Sequence, residues 1–214
     1  MRLVLPPLYV ILDAALLTTP EIEIAKKLSD AGVRLFQYRN KRGSPRELLQ
    51  ASSLLGAELA ERGALFFVND RPDVAYLSGA SGVHVGQKDL PVAESRTVMG
   101  PGKLLGISTH NLEQFRAATE TDADYIALGP VFETDSKMNP DPVVGTDMIR
   151  EASKLTKKPV VAIGGITLDR AKEVMEAGAD SVAVISDILR APDPGKRARQ
   201  FLNLLEPMKR TANM

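Results

Sequence analysis

The feature that most constrains this chain is a repeated unit. A small or polar residue leads into four to six apolar residues, and a Gly, Asn, Asp, Ser or Arg closes the run. The unit recurs at 8–13, 33–39, 64–70, 82–89, 103–110, 124–130, 159–165 and 181–186. Most of these runs are rich in Val, Ile, Leu and Phe and too short for helices, so they read as strands buried on both faces, as in a parallel sheet. Helical stretches fall between them. In 20–32, Ile22, Ile24, Ala25 and Leu28 form a partial apolar face and Gly32 ends the stretch. Residues 44–63 open with Ser44 as N-cap, Pro45 in the first turn and Glu47 three residues on. A further helix runs from Thr167 to Gly178, and 194–209 closes the chain. The connections at 71–79, 91–99, 111–121 and 145–157 hold two or three turns each.

Eight strands alternating with eight helical segments, without linker or change of composition, predict one closed (β/α)8 barrel over 1–214, with a frayed tail after about residue 209. At 44% hydrophobic and 25% charged residues the chain has an ordinary globular balance. Lys plus Arg equals Asp plus Glu at 27 each, so no overall field draws it to nucleic acid or to anionic lipid, and neither is expected as a partner. With no Cys and only two His, thiolate nucleophiles, Cys-zinc sites and His-rich metal sites are excluded. Pro6, Pro7 and Asp13 interrupt the apolar start, which argues against a secretory leader. No run approaches the ~18 apolar residues of a membrane span. A soluble, cytoplasmic protein is expected.

In such a barrel, chemistry belongs at the C-terminal strand ends, and the polar residues collect there. Strand alternation puts Gln37 and Arg39 on one face and Tyr38 on the other; with Leu35 inward, both polar groups enter the barrel mouth. Arg39 as a planar fork and Lys41 as a mobile point charge suit the oxygens of a phosphate or diphosphate, the alternative for Lys41 being a solvated loop. Asn69–Asp70 and Asp89 come from neighbouring strand ends, where two carboxylates can share a hard cation such as Mg2+; equally, each Asp can cap the helix that follows it. The fifth strand ends in Ser108 and His110. The loop after the sixth carries Thr134, Ser136 and Lys137, hydroxyls beside a cation that suit an anion. Gly164–Gly165, where backbone N–H groups can approach a ligand, and Ile185–Ser186 end the last two strands, the usual phosphate position of this fold. A phosphorylated small molecule is therefore the expected substrate. His84, between Gly82 and Gly86 that leave it room, reads first as a hydrogen-bonded interior residue, and His110 as a residue near a helix start.

The segments QYRNK (37–41), ND (69–70), GVHVGQKD (82–89), GISTH (106–110), DYIALGPVFETDSK (124–137), AIGGI (162–166) and GADSVAVIS (178–186), taken in order, resemble the thiamine-phosphate synthase family. The resemblance runs from the second strand to the eighth. It implies an alkyl transferase that joins an aminopyrimidinylmethyl diphosphate to a carboxythiazole phosphate, releasing diphosphate and CO2 and leaving thiamine phosphate. It implies that Gln37, Arg39, Lys41, Asn69 and Lys137 hold the pyrimidine diphosphate, that Asp70 and Asp89 hold Mg2+, and that Ser108 lies near the diphosphate and the reacting methylene. Thr134 and Ser136 then match thiazole-side contacts, and Gly165, Ile185 and Ser186 the thiazole phosphate site. Arg39, Lys41, Ser108 and Lys137 are the catalytic candidates. The competing readings are a thiazole tautomerase, a fold relative with a similar F-E-T-D stretch, and a non-catalytic barrel that binds a phosphate ester.

Overall fold

The computed structural model describes residues 3–134 and 141–208. Ser136 and Lys137, and the expected frayed tail, lie outside them. The eight expected strands are present: β1 (Leu8–Asp13), β2 (Leu35–Arg39), β3 (Leu65–Asn69), β4 (Gly82–Val85), β5 (Leu104–Thr109), β6 (Tyr125–Leu128), β7 (Val160–Ile163) and β8 (Ser181–Val184). Every neighbouring pair is parallel, and β8 pairs with β1 to close the barrel. The chain is a single (β/α)8 TIM barrel.

The helices that make these crossovers are α1 (Glu21–Asp30), α2 (Pro45–Glu61), α3 (Pro72–Leu77), α4 (Val92–Met99), α5 (Leu112–Thr119), α6 (Gly145–Leu155) and α7 (Leu168–Glu176). After β8 the chain does not run straight into its closing helix. A single turn, α8 (Ser186–Leu189), comes first, followed by α9 (Pro194–Leu205) and a 3-10 turn at Glu206–Met208. Ser186 therefore opens a helix rather than ending a strand. None of the described helices is long and apolar enough to cross a membrane.

Period-two alternation divides the core in two. Phe36, Tyr38, Phe66, Val68 and Val83 face outward and pack with helix residues such as Leu28 and Leu55. Tyr9, Ile11, Leu35, Phe67, Tyr125, Ala127, Val161 and Ala183 fill the barrel interior. Two glycines make room for that filling. A Cβ at Gly106 would lie 2.1 Å from the Tyr125 Cζ and 2.4 Å from its hydroxyl oxygen, and one at Gly82 would lie 2.6 Å from Phe67 and closer still to the Leu104 carbonyl. The expectation that Gly82 and Gly86 leave space for His84 is corrected accordingly: Gly82 admits Phe67, and Gly86 admits the Asp89 carboxylate, which would lie 2.9 Å from a Cβ there.

Local chemistry fixes where the helices start. Ser44 accepts from the Glu47 N–H and the Glu47 carboxylate accepts from the Ser44 N–H, a complete capping box ahead of Pro45. Thr167 occupies the N-cap position of α7 but makes no side-chain cap; Asp187 accepts from the Leu168 N–H instead, at 3.2 Å.

Candidate active site

Two adjoining concavities open at the C-terminal end of the barrel, and Asn69 lines both. The first is the barrel mouth, bordered by Gln37, Arg39, Ser108, Thr134, Gly165, Ile185 and Ser186. The second lies to one side, bordered by Lys41, Asp70 and Asp89. The described candidates thus come together as two groups that meet at one asparagine.

On the β2 side, Leu35 is in the interior layer and Tyr38 in the outer one, so Gln37 and Arg39 point into the mouth as alternation demands. Arg39 pairs with Asp13, its register partner at the end of β1. Asp13 is buried and also accepts the Ala15 N–H at 3.0 Å, so it is a fixed anchor for the guanidinium. Sequence reasoning left Asp13 out of the site. It ends a strand like the other candidates, but only the β1–β2 register shows that it faces Arg39.

The carboxylate pair is not a pair of helix caps. The N-cap positions of α3 and α4 are Arg71 and Pro91, and neither helix has a side-chain cap. Asp70 instead has φ +64°, a left-handed conformation that Asp tolerates better than most residues. Its N–H bonds the His84 carbonyl at 2.7 Å, which ties the β3 end to β4. Asp89 accepts the Gly86 N–H at 2.7 Å and so folds back toward Asp70. Burial, together with Asp89 within hydrogen-bonding reach, pushes the Asp70 carboxyl above the usual range, against the opposing pull of Lys41, which contacts it directly. Two carboxylates within hydrogen-bonding reach of each other, one of them also paired with Lys41, form an oxygen donor set that a hard divalent cation fits. Among the described residues no third Asp, Glu or His joins them to make a larger cluster. Mg2+ commonly takes one or two carboxylates and completes its shell with substrate phosphate and water, so this donor set suits that ion.

Across the mouth, Gly164 and Gly165 have φ of +100° and +62°. A Cβ on Gly164 would come 2.5 Å from Pro130, and one on Gly165 would strike the Glu133 carbonyl and lie 2.8 Å from Phe132. The glycine pair is required by the close passage of the 130–133 segment as well as by its backbone angles. Ile185 and Ser186, at the start of α8, complete that edge.

Both histidines line the mouth. His110 Nδ1 lies 2.7 Å from the Gly129 carbonyl, and Asn111, not His110, caps α5. His84 is buried, with Nδ1 2.8 Å from the Tyr125 hydroxyl and Nε2 2.8 Å from Ser108 Oγ. The Tyr125 hydroxyl is in turn 3.0 Å from that of Tyr9, to which Gln37 Nε2 donates at 2.9 Å. Burial drives both phenols above their ordinary pKa, so they stay protonated. Neither tyrosine was singled out from the sequence, where each sits inside an apolar run.

The family model for thiamine monophosphate synthase matches residues 8–188. This chain belongs to the thiamine monophosphate synthase family. A thiamine-phosphate synthase of Koribacter versatilis (strain Ellin345) is 50% identical over 207 residues, covering 94% of this chain and 96% of its own length. A thiamine-phosphate synthase of Synechococcus sp. (strain WH7803) is 47% identical over 175 residues, which are 82% of this chain and 49% of that larger protein. Among solved structures, a thiamine phosphate pyrophosphorylase from Pyrococcus furiosus matches with a TM-score of 0.86 and 34% identity, over 94% of this chain and 96% of that one. Within the synthase family barrel, the two concavities divide the strand ends into a cationic, carboxylate-bearing side and a glycine-bordered mouth.

Proposed function

We propose that this chain is a thiamine-phosphate synthase, an alkyl transferase that couples an aminopyrimidinylmethyl diphosphate to a thiazole phosphate. The observation that carries the reading is the junction at Asn69 between a pocket bearing Lys41, Asp70 and Asp89 and a mouth bordered by Gly165, Ile185 and Ser186. A diphosphate at the junction, within reach of Arg39 and Ser108 from the mouth and of Lys41, Asp70 and Asp89 from the side pocket, and a phosphate ester at the glycine-bordered edge then have separate places, and the bond to be made lies between them.

The carbon–oxygen bond of the pyrimidinylmethyl diphosphate breaks with its electron pair leaving on the diphosphate, and the thiazole nitrogen donates the pair that forms the new carbon–nitrogen bond. Asp70 and Asp89 are the residues that would hold Mg2+, which when bound neutralises charge on the departing diphosphate. Arg39, oriented by Asp13 in the mouth, and Lys41, in the side pocket, add positive charge from either side of the Asn69 junction. Each such contact, at about 4 Å and an effective dielectric near 20, is worth roughly 4 kcal/mol before desolvation is subtracted. On the strength of the family resemblance, Lys137 is assigned to holding the pyrimidine diphosphate, and Thr134 and Ser136 to thiazole-side contacts. The thiazole nitrogen already has its lone pair, so no general base is needed to activate it, and neither histidine is assigned that task.

The test is diphosphate release from the purified chain given either substrate alone or both, with and without Mg2+. Release that needs both substrates and the metal supports the synthase reading. Thiazole isomerisation without metal, and no diphosphate, would replace it with a tautomerase.

A further inference from the structure

A chain of hydrogen bonds crosses the barrel interior beneath the mouth, through Gln37, Tyr9, Tyr125, His84 and Ser108. Its direction follows from counting protons. The Gln37 amide nitrogen can only donate, so the Tyr9 oxygen accepts there and gives its own single proton onward to Tyr125. The Tyr125 oxygen, having accepted from Tyr9, gives its proton to His84 Nδ1. Nδ1 is then bare, the neutral ring carries its proton on Nε2, and that proton goes to Ser108 Oγ. The opposite direction would leave the proton of fully buried Tyr9 without an acceptor in the chain, an arrangement native interiors avoid.

We infer that Tyr9, Tyr125 and His84 are positioning residues which lock His84 in its Nε2–H tautomer and so leave the Ser108 hydroxyl free to donate into the mouth. Ser108 accepts from His84 and has one proton of its own to give. Its backbone is also held, since Gln87 Nε2 donates to the Ser108 carbonyl at 2.7 Å. A donor hydroxyl faces an anion, and under the synthase reading, on which this inference rests, that anion is the departing diphosphate. The rings are set by packing: Tyr9, Phe67 and Tyr125 meet with centroids 5.4–6.1 Å apart, and His84 stacks on Tyr125 at 5.5 Å. That packing holds the chain's geometry in place, the condition for electrostatic help that costs no reorganisation.

The test begins with the full chain labelled with [15N]histidine. There are only two histidines, so a His110→Asn variant assigns the signals. Long-range proton–nitrogen correlation at neutral pH is expected to show His84 protonated on Nε2 and bare on Nδ1. A wild-type His84 protonated on Nδ1, or on both nitrogens, overturns the inference, and that measurement needs no destabilising variant. Tyr125→Phe should convert His84 to a mixture of tautomers. Gln37→Glu, whose carboxylate can only accept, should draw the chain the other way and favour Nδ1–H. In the synthase assay, Tyr9→Phe and Tyr125→Phe should each lower kcat about tenfold, the scale of one misdirected hydrogen bond, while KM for the thiazole phosphate stays within about twofold. Altered tautomers with unchanged kcat would overturn the positioning role. If wild type releases no diphosphate, the synthase reading fails while the tautomer result stands by itself.

Discussion

Replacing Gly106 by Ala adds one methyl group at the point where the interior layer has no space for it. The new Cβ would lie 2.1 Å from Cζ of the Tyr125 ring, which is fully buried and bounded by Tyr9, Phe67 and His84. The ring must move. Forced repacking of a close-packed core costs about 1–3 kcal/mol. Shifting the ring also breaks or stretches the hydroxyl's bonds to Tyr9 and His84, each worth about 1 kcal/mol. Gly106→Ala should therefore lose about 3–5 kcal/mol, or roughly 10 °C in Tm for a chain of this size. Gly63→Ala separates packing from backbone strain, because Gly63 has φ +66° with nothing within 4 Å of an added Cβ. There the loss should be only about 1 kcal/mol, the left-handed penalty of a side chain. Urea unfolding followed by circular dichroism measures both. A Gly106→Ala loss no larger than that of Gly63→Ala would refute the packing of the interior layer as described.

Three further outcomes are expected. Asp13→Asn keeps the shape and leaves a side-chain oxygen for the Ala15 N–H but removes the anchor of Arg39; kcat/KM for the pyrimidine diphosphate should fall about tenfold, as expected for losing one charge-assisted hydrogen bond of about 1.5–3 kcal/mol. Ser44→Ala removes half of the α2 capping box and should cost about 1 kcal/mol in chemical denaturation, with kinetics unchanged. Lys137→Ala should lower turnover on the order of 10²–10³, the scale of one lost stabiliser of developing charge, and wild-type turnover would remove Lys137 from the reaction.

The fold and the strand ends were legible because both follow from local periodicity. An apolar run of four to six residues closed by a polar one states its length and its buried faces, and Leu35, Gln37 and Arg39 must share a face once one of them is placed. The capping box at Ser44 was legible for the same reason, since its partners lie three residues apart. The unread parts depend on closure. Tyr9 and Tyr125 are separated by 116 residues and meet only because β1 and β6 face each other across the closed interior. Asp13 finds Arg39 through the β1–β2 register, and Asp187 caps α7 from the neighbouring β/α unit. The role of Gly82 was misread because a glycine's missing side chain says that space is needed, not which neighbour needs it. Both capping assignments for Asp70 and Asp89 fail for a comparable reason: the residues stand before helices but their carboxylates turn toward each other.

Asp70 and Asp89 are proposed to form together a divalent-cation seat beside the mouth. Calorimetric titration of Mg2+ into the chain in the presence of inorganic diphosphate measures it directly, with Asp89→Asn alongside. Wild type should bind one ion, and Asp89→Asn should bind it at least about tenfold more weakly, since even residues that only support a metal ligand cost roughly 10–100-fold when changed. Equal Mg2+ affinity in the two proteins would remove Asp89 from the cation site.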